Sequence, residues 1–170
     1  MLPTLLDLAQ RLQDTSIGTA LAESRYAFPV VEGVHLVGLS LSVGLLAVID
    51  LRLMGVFMRN TPLREVLEPL RPWAISGFIL TFLSGLLLFS SEAVIIIKSP
   101  AFAWKMAFIG LAALNALLFE YKVSRWGAAL QELGTPPLAV RYAGFASLSL
   151  WILAIAFGRL IPYLSPTLPS

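Results

Sequence analysis

Four long apolar segments, roughly Phe28 to Met54, Trp73 to Ile97, Phe102 to Tyr121 and Ala143 to Tyr163, constrain this chain more than any motif it carries. Each reaches the ~20 residues that a helix needs to cross a hydrocarbon core about 30 Å thick. So few segments cannot close a barrel, and backbone amides in lipid must be satisfied within their own segment, so all four are predicted to be helices. Composition agrees: 58 % of residues are hydrophobic and only 13 % charged, with a mean hydropathy of +0.83. The predicted fold is an all-α bundle of four membrane-spanning helices, in contact with the lipid bilayer on its outside.

The rest of the chain is read around that bundle. Residues 1–27 form an N-terminal amphipathic segment, residues 28–165 the transmembrane domain and residues 166–170 a loose tail. Leu2, Leu5, Leu6, Ala9 and Leu12 recur at helical spacing opposite Asp7, Gln10 and Arg11, which describes a helix lying on a membrane surface or packed against the bundle. A second short helix is expected to start at Asp14, Thr15 or Ser16 and run toward Arg25. The N-terminus lacks the basic region and cleavage site of a signal peptide and reads as mature sequence. Arg59 to Pro72 reads as a loop with a short surface helix, Lys98-Ser99-Pro100 as a tight turn, and Leu133-Gly134-Thr135-Pro136-Pro137 as a break.

Orientation follows from the basic residues. Arg52, Arg59, Arg64, Arg71, Lys122, Arg125 and Arg141 lie on the side of the first and third connections, against Arg11, Arg25, Lys98, Lys105 and Arg159 on the other. The excess of seven over five places both termini outside, in the periplasm. Tyr26, Trp104 and Tyr163 fall at one boundary and Trp73, Tyr121, Trp126 and Tyr142 at the other, as interfacial belts do. The formal charge of +2 with scattered basic residues excludes a nucleic-acid footprint. The absence of cysteine excludes disulfides, thiolate zinc sites and iron–sulfur clusters.

Within this apolar background the first span carries Glu32 and His35, the chain's one histidine. With Ser42 and Asp50 they fall in an arc of about 80° of a helix advancing ~100° per residue. Gly33, Ser40 and Gly44 occupy a different face and suit close approach by a neighbour. Antiparallel packing brings Glu92, Lys105, Met106 and Arg159 toward the depth of His35. A polar cluster of Glu32, His35, Ser42, Glu92, Lys105 and Arg159 is therefore expected, and ionisable groups in a membrane mark functional sites by default. Asp50 and Arg52, with Glu120 and Lys122, read as anchors and ion pairs at the opposite boundary. Asn115 reads as an interhelical hydrogen bond. Gly77, Thr81, Gly85, Ala112 and Ala116 read as packing positions in a compact bundle.

Several chemistries suit that cluster. A b-type haem would find one imidazole per chain, so His35 would be joined by Met106, by an open position, or by a second His35 across a homodimer. Glu32 would orient His35, Lys105 and Arg159 would bind an acidic group such as a haem propionate or a quinone oxygen, and Glu92 would neutralise them. Copper would use His35 as its metal ligand with thioether sulfur, though Met54 and Met58 lie too far away. A proton relay would pass between Glu32, Glu92 and His35. No nucleotide loop, hydrolase triad or HExxH motif is present, so independent catalytic activity is not expected.

The succession FPVVEGVHLVG, VIDLRLMG, GLLLFSSEA, FAWKM, LNALLFE and FGRLIPY resembles a family of small, uncharacterised bacterial membrane proteins with four helices, over nearly the whole chain. The helix EGVHLVGLSLSVGLLAV is similar to the histidine-bearing helices of copper-resistance D proteins and membrane cytochrome b subunits, with His35 as the matching residue. Those families spread further histidines over several helices. The resemblance implies a bacterial inner-membrane location and a redox role, alone as a homo-oligomer or within a larger membrane complex. Two other readings stand beside it: a proton-linked permease with a water-lined path from the cluster past Ser42 to Asp50, and a scaffold whose charges pair only with each other.

Overall fold

A computed structural model describes residues 2–132 and 136–165, with side chains over residues 4–121 and 136–165. It consists of seven helices among the described residues: α1 (Leu2–Gln13), α2 (Ser16–Glu23), α3 (Ala27–Leu53), α4 (Leu63–Ser91), α5 (Ala93–Lys98), α6 (Pro100–Glu132) and α7 (Leu138–Leu164). Four of them, α3, α4, α6 and α7, are long and apolar enough to cross a membrane, so the chain is an all-α, multi-pass membrane protein. They alternate in direction. One end of the bundle, the terminal end, gathers the start of α3 and the end of α7 with α1, α2 and α5. The other, the loop end, carries the α3–α4 and α6–α7 connections.

Helix α3 stops in a Schellman turn. Gly55 adopts φ +71°, Val56 N–H donates to the Leu51 carbonyl and Gly55 N–H to that of Arg52, both at 3.0 Å, a geometry that glycine reaches without the cost a Cβ imposes. Helix α4 then starts at Leu63, so the connection is only residues 54–62, shorter than the predicted loop with a surface helix up to Pro72. Pro69 and Pro72 lie inside α4. Each forfeits one hydrogen bond near the helix's water-facing start, where loosened carbonyls can be hydrated. The predicted second span also ends early. The backbone breaks at Glu92 (φ −136°, ψ 30°), and the remaining apolar residues form the separate α5. The predicted break between the last two spans is seen as the end of α6 at Glu132 and the start of α7 at Leu138; residues 133–135 and the tail 166–170 lie outside the described residues.

The tightest packing is the antiparallel α3–α4 crossing. A Cβ on Gly77 would lie 2.7 Å from the Ser42 amide nitrogen, and one on Gly38 would lie 2.8 Å from Thr81 Oγ1 and 2.9 Å from its backbone nitrogen. Small residues let helices approach where lipid offers no hydrophobic drive to associate. Gly77, Thr81 and Gly85 were predicted as such positions. The predicted partner face of α3 was not the one used: Gly33 and Gly44 face open space, and Gly38 with Ser42 makes the contact. Ala112 is buried as expected, whereas Ala116 is exposed.

Helix α7 packs on α3 and α6, and Asn115 Nδ2 donates to the Ala143 carbonyl at 3.0 Å, the interhelical bond its mid-span position predicted. Between α4 and its neighbours across the bundle, long side chains make the contact: Arg71 pairs with Glu120 at 2.6 Å, Phe78 lies on Trp151 at 4.9 Å and Phe89 stacks on Phe102 at 5.4 Å. The bundle is less compact than expected. Only 28 % of the second span's apolar window and 6 % of the third's are buried within the chain, leaving the remainder to lipid. Tyr26, Trp104 and Tyr163 at the terminal end, and Trp73, Tyr121 and Tyr142 at the loop end, are all more than half exposed, as boundary aromatics must be. Trp126 lies outside the described side chains.

At the terminal end α2 is capped by Thr15, whose Oγ1 accepts from Gly18 N–H at 3.2 Å. Helix α1 is docked: Ala9 is buried and Gln13 Oε1 accepts from Val94 N–H at 3.1 Å, capping α5. Leu5 and Leu8 remain 52 % and 61 % exposed. One edge of the helix therefore packs on the bundle, the second of the two expectations for it, while Leu5 and Leu8 stay uncovered on another.

Candidate ligand site at the terminal end

Around His35 all four long helices contribute. The ring of His35 lies over Gly85 of α4, where a Cβ would come within 3.0 Å of its Cε1. Its Nδ1 is 3.0 Å from the Thr81 carbonyl and 3.1 Å from Ser84 Oγ. Ser84 Oγ itself donates to the Leu80 carbonyl at 2.6 Å, so the hydroxyl proton is already placed there. A carbonyl only accepts, so the neutral ring carries its proton on Nδ1 and donates it to Thr81. That leaves the lone pair on Nε2. A backbone carbonyl fixing one ring nitrogen so that the other is presented as a base or ligand is the usual second-shell arrangement of ligating histidines.

Lys105 enters from α6. Its Cδ, Cε and Nζ run past Gly158 of α7, each 3.4 Å from where a Cβ would stand, and its charge acts on His35, as does that of Glu32. The lysine is half-buried, and it makes no hydrogen bond or ion pair with any described residue. Cations within a bilayer cost a few kcal/mol unless paired, hydrated or snorkelled.

The remaining predicted members are at or near this layer without facing the ring. Glu32, one turn nearer the terminal end, and Glu92, at the α4–α5 break, are exposed. Arg159 follows Gly158 and is exposed, and Met106 follows Lys105 with 49 % exposure, each turned about 100° from its inward neighbour. Ser42 stands apart from the cluster. It is fully buried at the α3–α4 crossing, and its Oγ donates to the Leu39 carbonyl of its own helix at 3.2 Å. Among the described residues no three His, Asp or Glu side chains form a group able to hold a metal ion.

Asp50 and Arg52 correct a second expectation. They are 2 % and 0 % exposed, too deep for boundary anchors. Arg52 donates from Nε and Nη2 to the Thr61 carbonyl at 2.9 and 2.7 Å, tying down the α3–α4 connection. Arg141 Nε donates to the Met54 carbonyl at 2.9 Å, at the end of α3. Glu120 does form an ion pair, with Arg71; Lys122 lies outside the described side chains.

Sequence reasoning found His35 and Lys105 and missed what holds them. Thr81, Gly85 and Gly158 read as packing or went unread. The available signal was the short α3–α4 connection, because positions equidistant from residue 60 face each other, which pairs His35 with Gly85. Comparison with protein-family models, curated proteins and solved structures finds no match to this chain, so the functional reading rests on its side chains.

Proposed function

We propose that the chain is a small subunit of the bacterial inner membrane, with both termini in the periplasm, serving a redox complex as a ligand-holding or accessory component of the kind b-type cytochrome subunits represent. The observation that carries this reading is the anchored imidazole: His35 Nδ1 held on Thr81 O, Nε2 presented, and the Lys105 ammonium, whose charge reaches the ring, with no acceptor among the described residues. For a haem the residues fit in part. His35 Nε2 would be one axial ligand, and Lys105 and Arg159 would take the propionates. Met106, half exposed on another face of α6, favours an open second position or His35 of a second copy over His/Met ligation. A haem would supply one-electron chemistry; this chain's residues would orient the ring and neutralise acidic groups.

The permease reading is less well supported. Between the depths of His35 and Asp50 the α3–α4 crossing is closed by backbone contact at Gly38, Ser42 and Gly77, and Ser42's hydroxyl is used within its own helix, so this interface offers no file of water. The scaffold reading requires Lys105 to find a protein partner.

The experiment is the oxidised and dithionite-reduced absorption spectrum of protein gently purified from its own membranes, with His35→Ala beside it. A Soret band with a reduced α-band, lost in the variant, is the expected outcome for a haem subunit. A folded, colourless preparation removes intrinsic haem and leaves the accessory role. Reporter fusions at each terminus and in residues 54–62 test the orientation, which predicts periplasmic activity for both termini only.

A further inference from the structure

Two features beside His35 are left unused by a ligand bound through the imidazole alone. Lys105 Nζ has no acceptor among the described residues, and one turn from it on α6, Phe102 stacks on Phe89 of α4 with ring centroids 5.4 Å apart and planes 12° from parallel. Phe89 in turn lies one turn beyond Gly85, on which His35 rests. A hydrogen-bond donor (Lys105), a hydrogen-bond acceptor (His35 Nε2) and a flat aromatic wall therefore occur within about a turn of one another on three helices. They border the part of the bundle where α4 and α6 meet through side chains and not backbones. That seam runs between the Phe89–Phe102 stack of α4 and α6 and the Phe78–Trp151 contact of α4 and α7 deeper in, and the third span beside it is only 6 % buried within the chain.

We propose that His35, Lys105 and the Phe89–Phe102 pair bind the planar head group of a lipid-soluble quinone admitted laterally through the α4–α6 seam. Lys105 donates to a quinone carbonyl oxygen. In the quinol form, a hydroxyl donates to His35 Nε2, whose opposite nitrogen is fixed by Thr81. The aromatic pair covers one face of the head group, and the isoprenoid tail remains in lipid, where the low burial of α6 leaves it room. A fatty-acid carboxylate or a lipid phosphate would satisfy Lys105 but would make no use of the aromatic wall, and neither an ionised carboxylate nor a phosphodiester has a proton to give the imidazole. Only binding is claimed; the electron donor belongs to the complex. The inference rests on the redox reading above, yet its test does not depend on haem.

The test uses the full-length protein in nanodiscs. Quinone co-purifying with it is quantified by chromatography, and binding of added decyl-ubiquinone is measured for wild type and for Lys105→Met, His35→Gln, Phe102→Leu and Arg64→Gln, with helical content and unfolding midpoint confirming that each is folded. Wild type is expected to retain quinone. Lys105→Met should weaken binding about tenfold or more, the scale of one charge-assisted hydrogen bond. His35→Gln and Phe102→Leu should weaken it by smaller factors, and Arg64→Gln, in an exposed ion pair with Glu68 at the loop end, should leave it unchanged. Folded wild type that binds no quinone, equal binding by Lys105→Met and His35→Gln, or quinone displaced fully by oleate or phosphatidylglycerol at equal concentration each overturns the proposal. A preparation with quinone and no Soret band defeats the haem reading alone; one with a Soret band and no quinone defeats this inference alone.

Discussion

The two ends of the bundle hold buried or half-buried ionisable groups of the same kinds and use them in opposite ways. At the loop end Ile49, Leu53, Leu63 and Val140 form the buried apolar cluster, with Leu67, Leu70 and Phe119 against it. The cations there are spent on backbone: buried Arg52 on the Thr61 carbonyl and exposed Arg141 on that of Met54. At the terminal end His35 uses one nitrogen on Thr81 and keeps the other, and Lys105 spends no donor on any described residue. An intramembrane charge is a functional signal only after its hydrogen bonds have been accounted for. By that measure the loop end is a clasp and the terminal end a candidate site, although Asp50, buried beside Ser147, keeps an Oδ2 that accepts no hydrogen bond from any described residue.

The sharpest way to break the contrast is to open the clasp. Gly77→Val would drive a side chain into the Ser42 backbone, 2.7 Å from where its Cβ would stand. Backbone cannot yield as a side chain does, so a loss of about 3 kcal/mol or failure to fold is expected, at the upper end of overpacking costs. Arg52→Met keeps the apolar stem and removes both donors to Thr61, and should cost about 2 kcal/mol, within the range for hydrogen bonds to a charged group. Both are read from unfolding midpoints in detergent. The folded fraction of Arg52→Met should bind ligand like wild type. Reduced binding by that folded fraction would show that the loop end belongs to the site.

His35→Ala is the reciprocal experiment, with a smaller effect on stability. The ring contributes one hydrogen bond to a helix carbonyl and its contact on Gly85, so a loss of about 1 kcal/mol is expected, together with loss of ligand. A large destabilisation with ligand retained would turn the terminal end into a second clasp and support the scaffold reading.

The contrast also marks what the sequence could disclose. Apolar length announced the four spans, and the depths of His35, Lys105, Met106 and Arg159 followed from counting along antiparallel helices. Facing did not follow, because it depends on which stripe each helix turns inward, and in an apolar helix no hydrophobic face announces it. So Gly33 and Gly44 looked as suitable for close approach as Gly38, and Met106 looked as well placed as Lys105. Arg52 was misread for a related reason. An arginine near a span's end usually snorkels, and only the tight turn at Gly55 brings the Thr61 carbonyl back to receive it. Had Pro69 and Pro72 been accepted inside α4, the connection would have shortened to residues 54–62, centred on residue 58, and counting outward would have set His35 opposite Thr81, one turn from Gly85.

The least disruptive change separates charge that merely bridges from charge that binds. Arg71 and Glu120 join α4 to α6 at the loop end at 2.6 Å, but their side chains are 58 % and 53 % exposed, where water and salt screen them. Glu120→Gln should therefore cost no more than about 0.5 kcal/mol, less at high salt, and leave ligand binding untouched. Lys105 lies across the same pair of helices, at the other end and half-buried, and its neutralisation should hardly alter the unfolding midpoint while abolishing most binding. The comparison requires both variants in one titration series, with unfolding midpoint and bound ligand measured on the same samples. If Glu120→Gln lowered binding as much as Lys105→Met, the spacing of α4 and α6 would control the site, and the ion pair would be the latch on the seam.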